Sequence, residues 1–140
     1  AVRLPPPKGL AVVMWIPAAE TSTTSSRQQL PDVVPFDAAI HNVGRAALMV
    51  AALATGDHGA LRDACADRLH QEARLADAPA SALALAAALT AGALAAWVSG
   101  SGPSVAMLAH ANAATKLAGA LPDTGHTKVL PVAQFGVRVS

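Results

Sequence analysis

The stretch Ala78 to Val98 contains no Asp, Glu, Lys or Arg, and two very different folds could accommodate it. A run of that length can cross a bilayer as a helix. Its content argues for a protein surround. It is mostly alanine, carries Ser81, Thr90 and Gly92, has no directly flanking Lys or Arg, and runs into Ser99-Gly100-Ser101-Gly102. Alanine gains little on leaving water, and the run divides naturally into a helix and a strand. The rest of the chain shares the bias. Charged residues make up 14%, against the roughly 25% usual for soluble domains, while the apolar fraction is 53% and the mean hydropathy +0.40. Part of this domain's surface is therefore expected to be covered by another protein segment rather than by lipid.

Other classes fall away for simple reasons. The net charge is +1, the basic residues are scattered and aromatics amount to 3%, so there is neither a basic stripe nor a stacking platform for nucleic acid. Cys65 is the only cysteine, which rules out an internal disulfide, and the amino terminus shows no basic region followed by an apolar segment and cleavage site. A reducing, cytoplasmic setting fits. With 140 residues the chain is expected to form one core.

Leu10 to Ile16 reads as a buried strand, entered through Pro5-Pro6-Pro7 and Gly9 and ended by Pro17. The cluster Thr21 to Ser26 can cap a short helix carrying Arg27 towards Leu30. From Asp37 to Thr55, Ile40, Val43, Ala47, Val50, Ala51 and Ala54 recur at helical spacing, and Gly56 supplies a left-handed stop. Arg45 is the one charge in this helix after Asp37, so its guanidinium needs water, a carbonyl or a carboxylate.

Asp57 caps an expected second helix with Leu61, Ala64, Cys65 and Leu69 inward and Arg62, Asp63, Asp67 and Arg68 on a solvated face. A third helix is expected from Pro79 to about Ala91. Strands over Leu94 to Val98 and Val105 to Ala109 should flank a tight loop, followed by a helix over Asn112 to Ala120. One or two last strands should lie at Val129 to Val132 and Phe135 to Val139. This mixture predicts an α+β fold, an antiparallel sheet with helices packed on one face.

The loop Ser99-Gly100-Ser101-Gly102-Pro103-Ser104 is the most specific feature. Two glycines remove side chains that would keep backbone N–H groups from an anion, and the serines add hydroxyl donors. The same residues would also make an ordinary hairpin turn.

Taken in order, a Thr/Ser-rich helix start bearing Arg27 before Leu30-Pro31, the stretch Asn42-Val43-Gly44-Arg45-Ala46-Ala47-Leu48, the segment Leu69-His70-Gln71-Glu72-Ala73-Arg74 and the glycine-serine loop resemble homoserine kinase. That family belongs with the galactokinase and mevalonate kinase relatives. The resemblance implies the ferredoxin-like carboxy-terminal domain of such a kinase, residues 1–9 being a connector from an amino-terminal half and 10–140 the substrate-side domain. It also implies phosphorylation of the L-homoserine hydroxyl, on the way to threonine. By resemblance, Arg27 and Arg74 hold the substrate carboxylate, a task that suits a planar guanidinium fork. Ser99, Gly100, Ser101 and Gly102 support the phosphate loop of the other half. No catalytic residue and no metal ligand is implied in this chain, and ATP and Mg²⁺ would be bound mainly by the amino-terminal half.

Two positions depart from the family pattern, Ala73 where a tyrosine is usual and Ala80 where a glycine follows the proline. The Pro-x-x-x-Gly-Leu-Gly-Ser-Ser phosphate loop is absent, so these residues alone are expected to be inactive. The partners implied are that kinase half and L-homoserine, without nucleic acid or membrane, and a homodimer is compatible. Another kinase of the same superfamily, or a non-catalytic α+β ligand-binding module, would share parts of the pattern.

Overall fold

The structure, a computed structural model, describes residues 4–18, 28, 30–133 and 135. Arg27, most of its expected helix and Gly136 to Val139 lie outside the described residues. Four strands, β1 (Leu10–Pro17), β2 (Ala95–Val98), β3 (Val105–His110) and β4 (Gly125–Pro131), form an antiparallel sheet in the order β2-β3-β1-β4. Helix α1 (Phe36–Thr55), a 3₁₀ turn (His58–Ala60), α2 (Leu61–Ala64), α3 (Gln71–Ala76) and α4 (Pro79–Thr90) intervene between β1 and β2, and α5 (Ala114–Ala118) lies between β3 and β4. This is the split β-α-β arrangement expected of an α+β fold. Helix α4 starts on Pro79, whose missing N–H costs nothing in a first turn.

Alternation in the central strand β1 sends Ala11, Val13 and Trp15 to one face. They meet Val105, Met107 and Ala109 of β3, Ala84 and Ala88 of α4, and Ala114 and Leu117 of α5. Ser81, Ala84 and Ala88 share the buried side of α4, and their small side chains let that helix lie close to the sheet. Trp15 is fully buried, and its indole N–H donates to the Pro122 carbonyl at 2.9 Å. Gly125 on β4, packed against that ring, has no room for a side chain: an added Cβ would fall 2.6 Å from both the Ile16 carbonyl oxygen and the Trp15 ring.

The helices expected on one face are α4 and α5. The other face has its own smaller cluster, where Leu10, Ala95 and Leu108 meet Ala52 of α1 and Leu61 of α2. The apolar stripe of α1 turns away from this cluster. Ile40 is 57% exposed, Val43 72% and Val50 52%, and Phe36 is exposed beside them. By length and apolarity α1 could cross a membrane, but Arg45 sits at its middle and its buried side packs on α2. Low charge content thus shows up as an outward apolar ridge. Gly56, at φ 76°, ends the helix in the expected left-handed turn.

Two expectations are corrected. The helix read from Asp57 to Leu69 breaks after Ala64, and a new helix, α3, begins at Gln71. The last strand begins at Gly125 rather than Val129, because β4 pairs with the whole of β1, Gly125 lying opposite Pro17 and Pro131 opposite Ala11.

Candidate functional site

The side chain of Asp67 organises the turn between α2 and α3. One carboxylate oxygen accepts the backbone N–H groups of Leu69 (2.6 Å), His70 (2.8 Å) and Gln71 (3.3 Å), and so satisfies donors at the start of α3 that no preceding turn can. The other oxygen takes the Asn42 amide at 3.3 Å and lies 3.0 Å from His70 Nε2. Burial works to raise this carboxyl's pKa, but the three backbone donors and the nearby His70 outweigh it and hold the group below the ordinary carboxylate range. Asp67 is therefore not on a solvated face: its side chain is 11% exposed. Asn42 completes the tie between α1 and this segment by accepting the Arg68 N–H at 2.9 Å. Arg62, also expected simply to face water, donates to the Leu89 and Ala93 carbonyls and so closes the carboxy-terminal end of α4.

Helix α3 in turn holds the glycine-serine loop. Gln71 accepts the Val98 N–H at 2.9 Å, and an Arg74 Nη1 donates to the Gly100 carbonyl. From α4, the buried Ser81 hydroxyl donates to the Pro103 carbonyl at 2.6 Å. Inside the loop, Ser99 N–H reaches the Ser104 carbonyl and Gly102 N–H the Ser99 carbonyl. Gly100 (φ 60°) and Gly102 (φ 77°) take the left-handed conformation that makes this turn. The successive N–H groups of Gly100 and Ser101 have no partner among the described residues. Two such amides in a glycine turn can meet an anion.

Beside the loop a cavity of about 560 Å³ opens between α1, α3 and β2. Asn42, Arg45, Asp67, His70 and Gln71 supply its polar wall, while Met49, Leu53, Cys65, Trp97 and Leu108 supply the apolar one. Burial pushes the Cys65 thiol up to about 11, so it stays protonated near neutrality. Among the described residues no three His, Cys, Asp or Glu side chains converge to hold a metal ion.

Of the residues singled out from sequence, the structure joins Arg74 to Gly100 and surrounds the loop with α3 and α4. Arg27 lies outside the described residues. Asp67, Gln71 and Ser81 carry the site's framework and were not singled out. The available signal was spacing, Asp67 standing four residues before the first residue of a helix that also carries Arg74.

The family described as GHMP kinases C terminal matches residues 49–127. A homoserine kinase of Thermus thermophilus is 48% identical over 111 residues, which is 79% of this chain and 38% of that protein. A homoserine kinase of Aquifex aeolicus is 40% identical over 110 residues, 79% of this chain and 37% of that one. The chain thus spans little more than a third of the length of the curated relatives it matches. Among solved structures, a homoserine kinase from Cytophaga hutchinsonii superposes with a TM-score of 0.89 at 30% identity, covering 95% of this chain and 45% of that one. A putative homoserine kinase from Listeria monocytogenes does so at 0.66 and 29% identity, covering 93% and 45%.

Proposed function

The chain belongs to the GHMP kinase carboxy-terminal family, and from that premise we propose that it is the substrate-side part of an ATP-dependent, cytoplasmic homoserine kinase. The observation that supports this reading is the link from Arg74 to Gly100, which fastens a guanidinium to the glycine-serine loop. Transfer of a γ-phosphate to an alcohol is chiefly a matter of positioning and charge neutralisation. Arg74 spends Nη1 on Gly100, which leaves Nη2 for a carboxylate. Holding the carboxylate there would aim the L-homoserine hydroxyl towards the loop. Arg27 would supply the second guanidinium.

The free amides of Gly100 and Ser101 suit support of a phosphate-bearing loop from an amino-terminal half. ATP and Mg²⁺ fall to that half, ATP supplying the transferred phosphoryl group. This chain's share is to bind and orient the acceptor. Residues 1–9 serve as the connector.

A chimera joining this chain to the amino-terminal part of the Thermus thermophilus relative tests the reading. The 140 residues alone should release no ADP with ATP, Mg²⁺ and homoserine, and the chimera should. In the chimera, Arg74→Ala should lower kcat/KM by roughly ten- to a hundredfold, with Arg74→Lys recovering part of it because charge survives without the fork. An alcohol lacking the carboxylate should be a poor substrate that the change hardly affects. Equal losses on both substrates would mean that Arg74 serves the fold or the nucleotide instead.

A further inference from the structure

The groups lining the cavity are unequally committed. Asp67 is saturated by Asn42, His70 and three backbone N–H groups. The oxygen of Asn42 accepts from Arg68, and that of Gln71 from Val98. Among the described residues Arg45 finds no hydrogen-bond acceptor and no ion pair, although Asp67 lines the same space. Asn42, Arg45, Met49 and Leu53 follow one another at helical spacing, so α1 turns this face to the cavity while its apolar ridge faces outward.

Arg45 is half-buried, and with no acceptor among the described residues its five donors are left to solvent, which an anion entering the cavity would displace. Met49 and Leu53, further along the same face of α1, and Trp97 and Leu108 of the sheet give the rest of the lining an apolar surface that suits hydrocarbon. With Asp67 fully taken, no carboxylate in the lining is free to meet an ammonium group. The volume falls within the range of small-molecule sites.

We propose that this cavity is a binding site for a small aliphatic monocarboxylate, its carboxylate held by Arg45 and its hydrocarbon body laid on Met49, Leu53 and Leu108. The site is separate from the Arg74 contact of the proposed kinase reaction and does not depend on that reading. It adjoins the same loop, because Gly100 forms part of its wall and Gln71 both lines it and holds Val98.

The probe is 4-methylpentanoate, titrated into the 140-residue chain while tryptophan fluorescence is followed. Trp97 lines the cavity, whereas Trp15 is fully buried on the other face of the sheet, so a saturable change reports on this site. Saturation in the millimolar range is expected. At least tenfold weaker binding is expected for 4-methylpentanol, which keeps the body without the charge, for acetate, which keeps the charge without the body, and for leucine, which adds the ammonium. Arg45→Gln should weaken 4-methylpentanoate at least tenfold with no change in melting temperature, since Arg45 has no protein hydrogen bond to lose among the described residues. Leu53→Asn, with Arg45 intact, should weaken it severalfold, and decides the matter if Arg45→Gln does not fold. Val43→Lys, on the outward ridge of α1 and away from the cavity, should bind like the parent chain.

No saturable response in the parent chain, undiminished binding in Arg45→Gln or Leu53→Asn, or leucine binding as tightly as the acid would overturn the proposal. None of these readouts involves phosphoryl transfer, so they leave the kinase reading standing or falling on its own test.

Discussion

The two faces of one sheet are built to different standards. On the face covered by α4 and α5, Trp15, Met107, Val105 and the alanines of α4 close on one another, and the buried polar side chain there, Ser81, has its partner. On the side of α1 to α3, the described residues include three buried polar atoms with no partner, His41 Nε2, His70 Nδ1 and Arg74 Nε, beside an open cavity. Buried polar atoms are nearly always paired in native proteins, so unpaired ones confined to this side mark where something other than the described residues completes the structure. The first face carries stability, and the second holds donors in reserve.

That contrast breaks most directly at Trp15. Trp15→Ala removes a fully buried ring and its bond to Pro122, and should cost about 3–5 kcal/mol in denaturant unfolding. A loss no larger than that of a surface change would mean that the α4 and α5 face is not the stabilising one.

Asp67→Ala should cost about 2–3 kcal/mol, because it strips three backbone N–H groups, Asn42 and His70 of their acceptor at once. The effect also has a sign in pH. The carboxyl's pKa is lower folded than unfolded, so its stabilisation is present above the unfolded value and is lost as pH falls through the folded one. Unfolding curves taken down the acid limb should therefore fall less steeply for Asp67→Asn than for the parent chain.

Ser81→Ala should cost about 1 kcal/mol, the worth of one hydrogen bond to the loop. In the kinase chimera it should lower turnover on homoserine and on a carboxylate-free alcohol alike. The smallest stability effect is expected on the outward ridge, where Val43→Lys should shift unfolding by less than about 0.5 kcal/mol. The same change should reduce self-association on sizing chromatography and binding of a hydrophobic dye, because it interrupts an exposed apolar patch. An unchanged elution profile from an already monomeric parent chain would show that the ridge is not adhesive.

Periodicity and punctuation made much of this fold legible. Gly56 stops α1, Pro79 starts α4, and Gly100 and Gly102 turn the tight loop read between β2 and β3. What periodicity cannot supply is which side of a helix faces in. The regular stripe of Ile40, Val43 and Val50 is the exposed one, and the face carrying Asn42 and Arg45 looks into the domain. The charges of Arg62 and Asp67 read as solvated because their partners are backbone carbonyls and N–H groups, which leave no mark in a sequence. The Arg74 segment and the loop could be picked out separately, but the hydrogen bond between them exists only in three dimensions.

The register of β1 sets an order of events during synthesis. Leu10 pairs with His110 and Ala11 with Pro131, so the central strand leaves the ribosome long before either neighbour exists. Meanwhile α4, β2 and β3 are contiguous in sequence and can close the hairpin Ala95–Leu108 to Val98–Val105 among themselves. Until β3 emerges, Leu-Ala-Val-Val-Met-Trp-Ile is an apolar strand with two open edges, a state prone to wrong pairing. A nascent chain arrested before Val105 should thus be an aggregation-prone species that depends on a holdase, and release from that dependence should coincide with the appearance of β3.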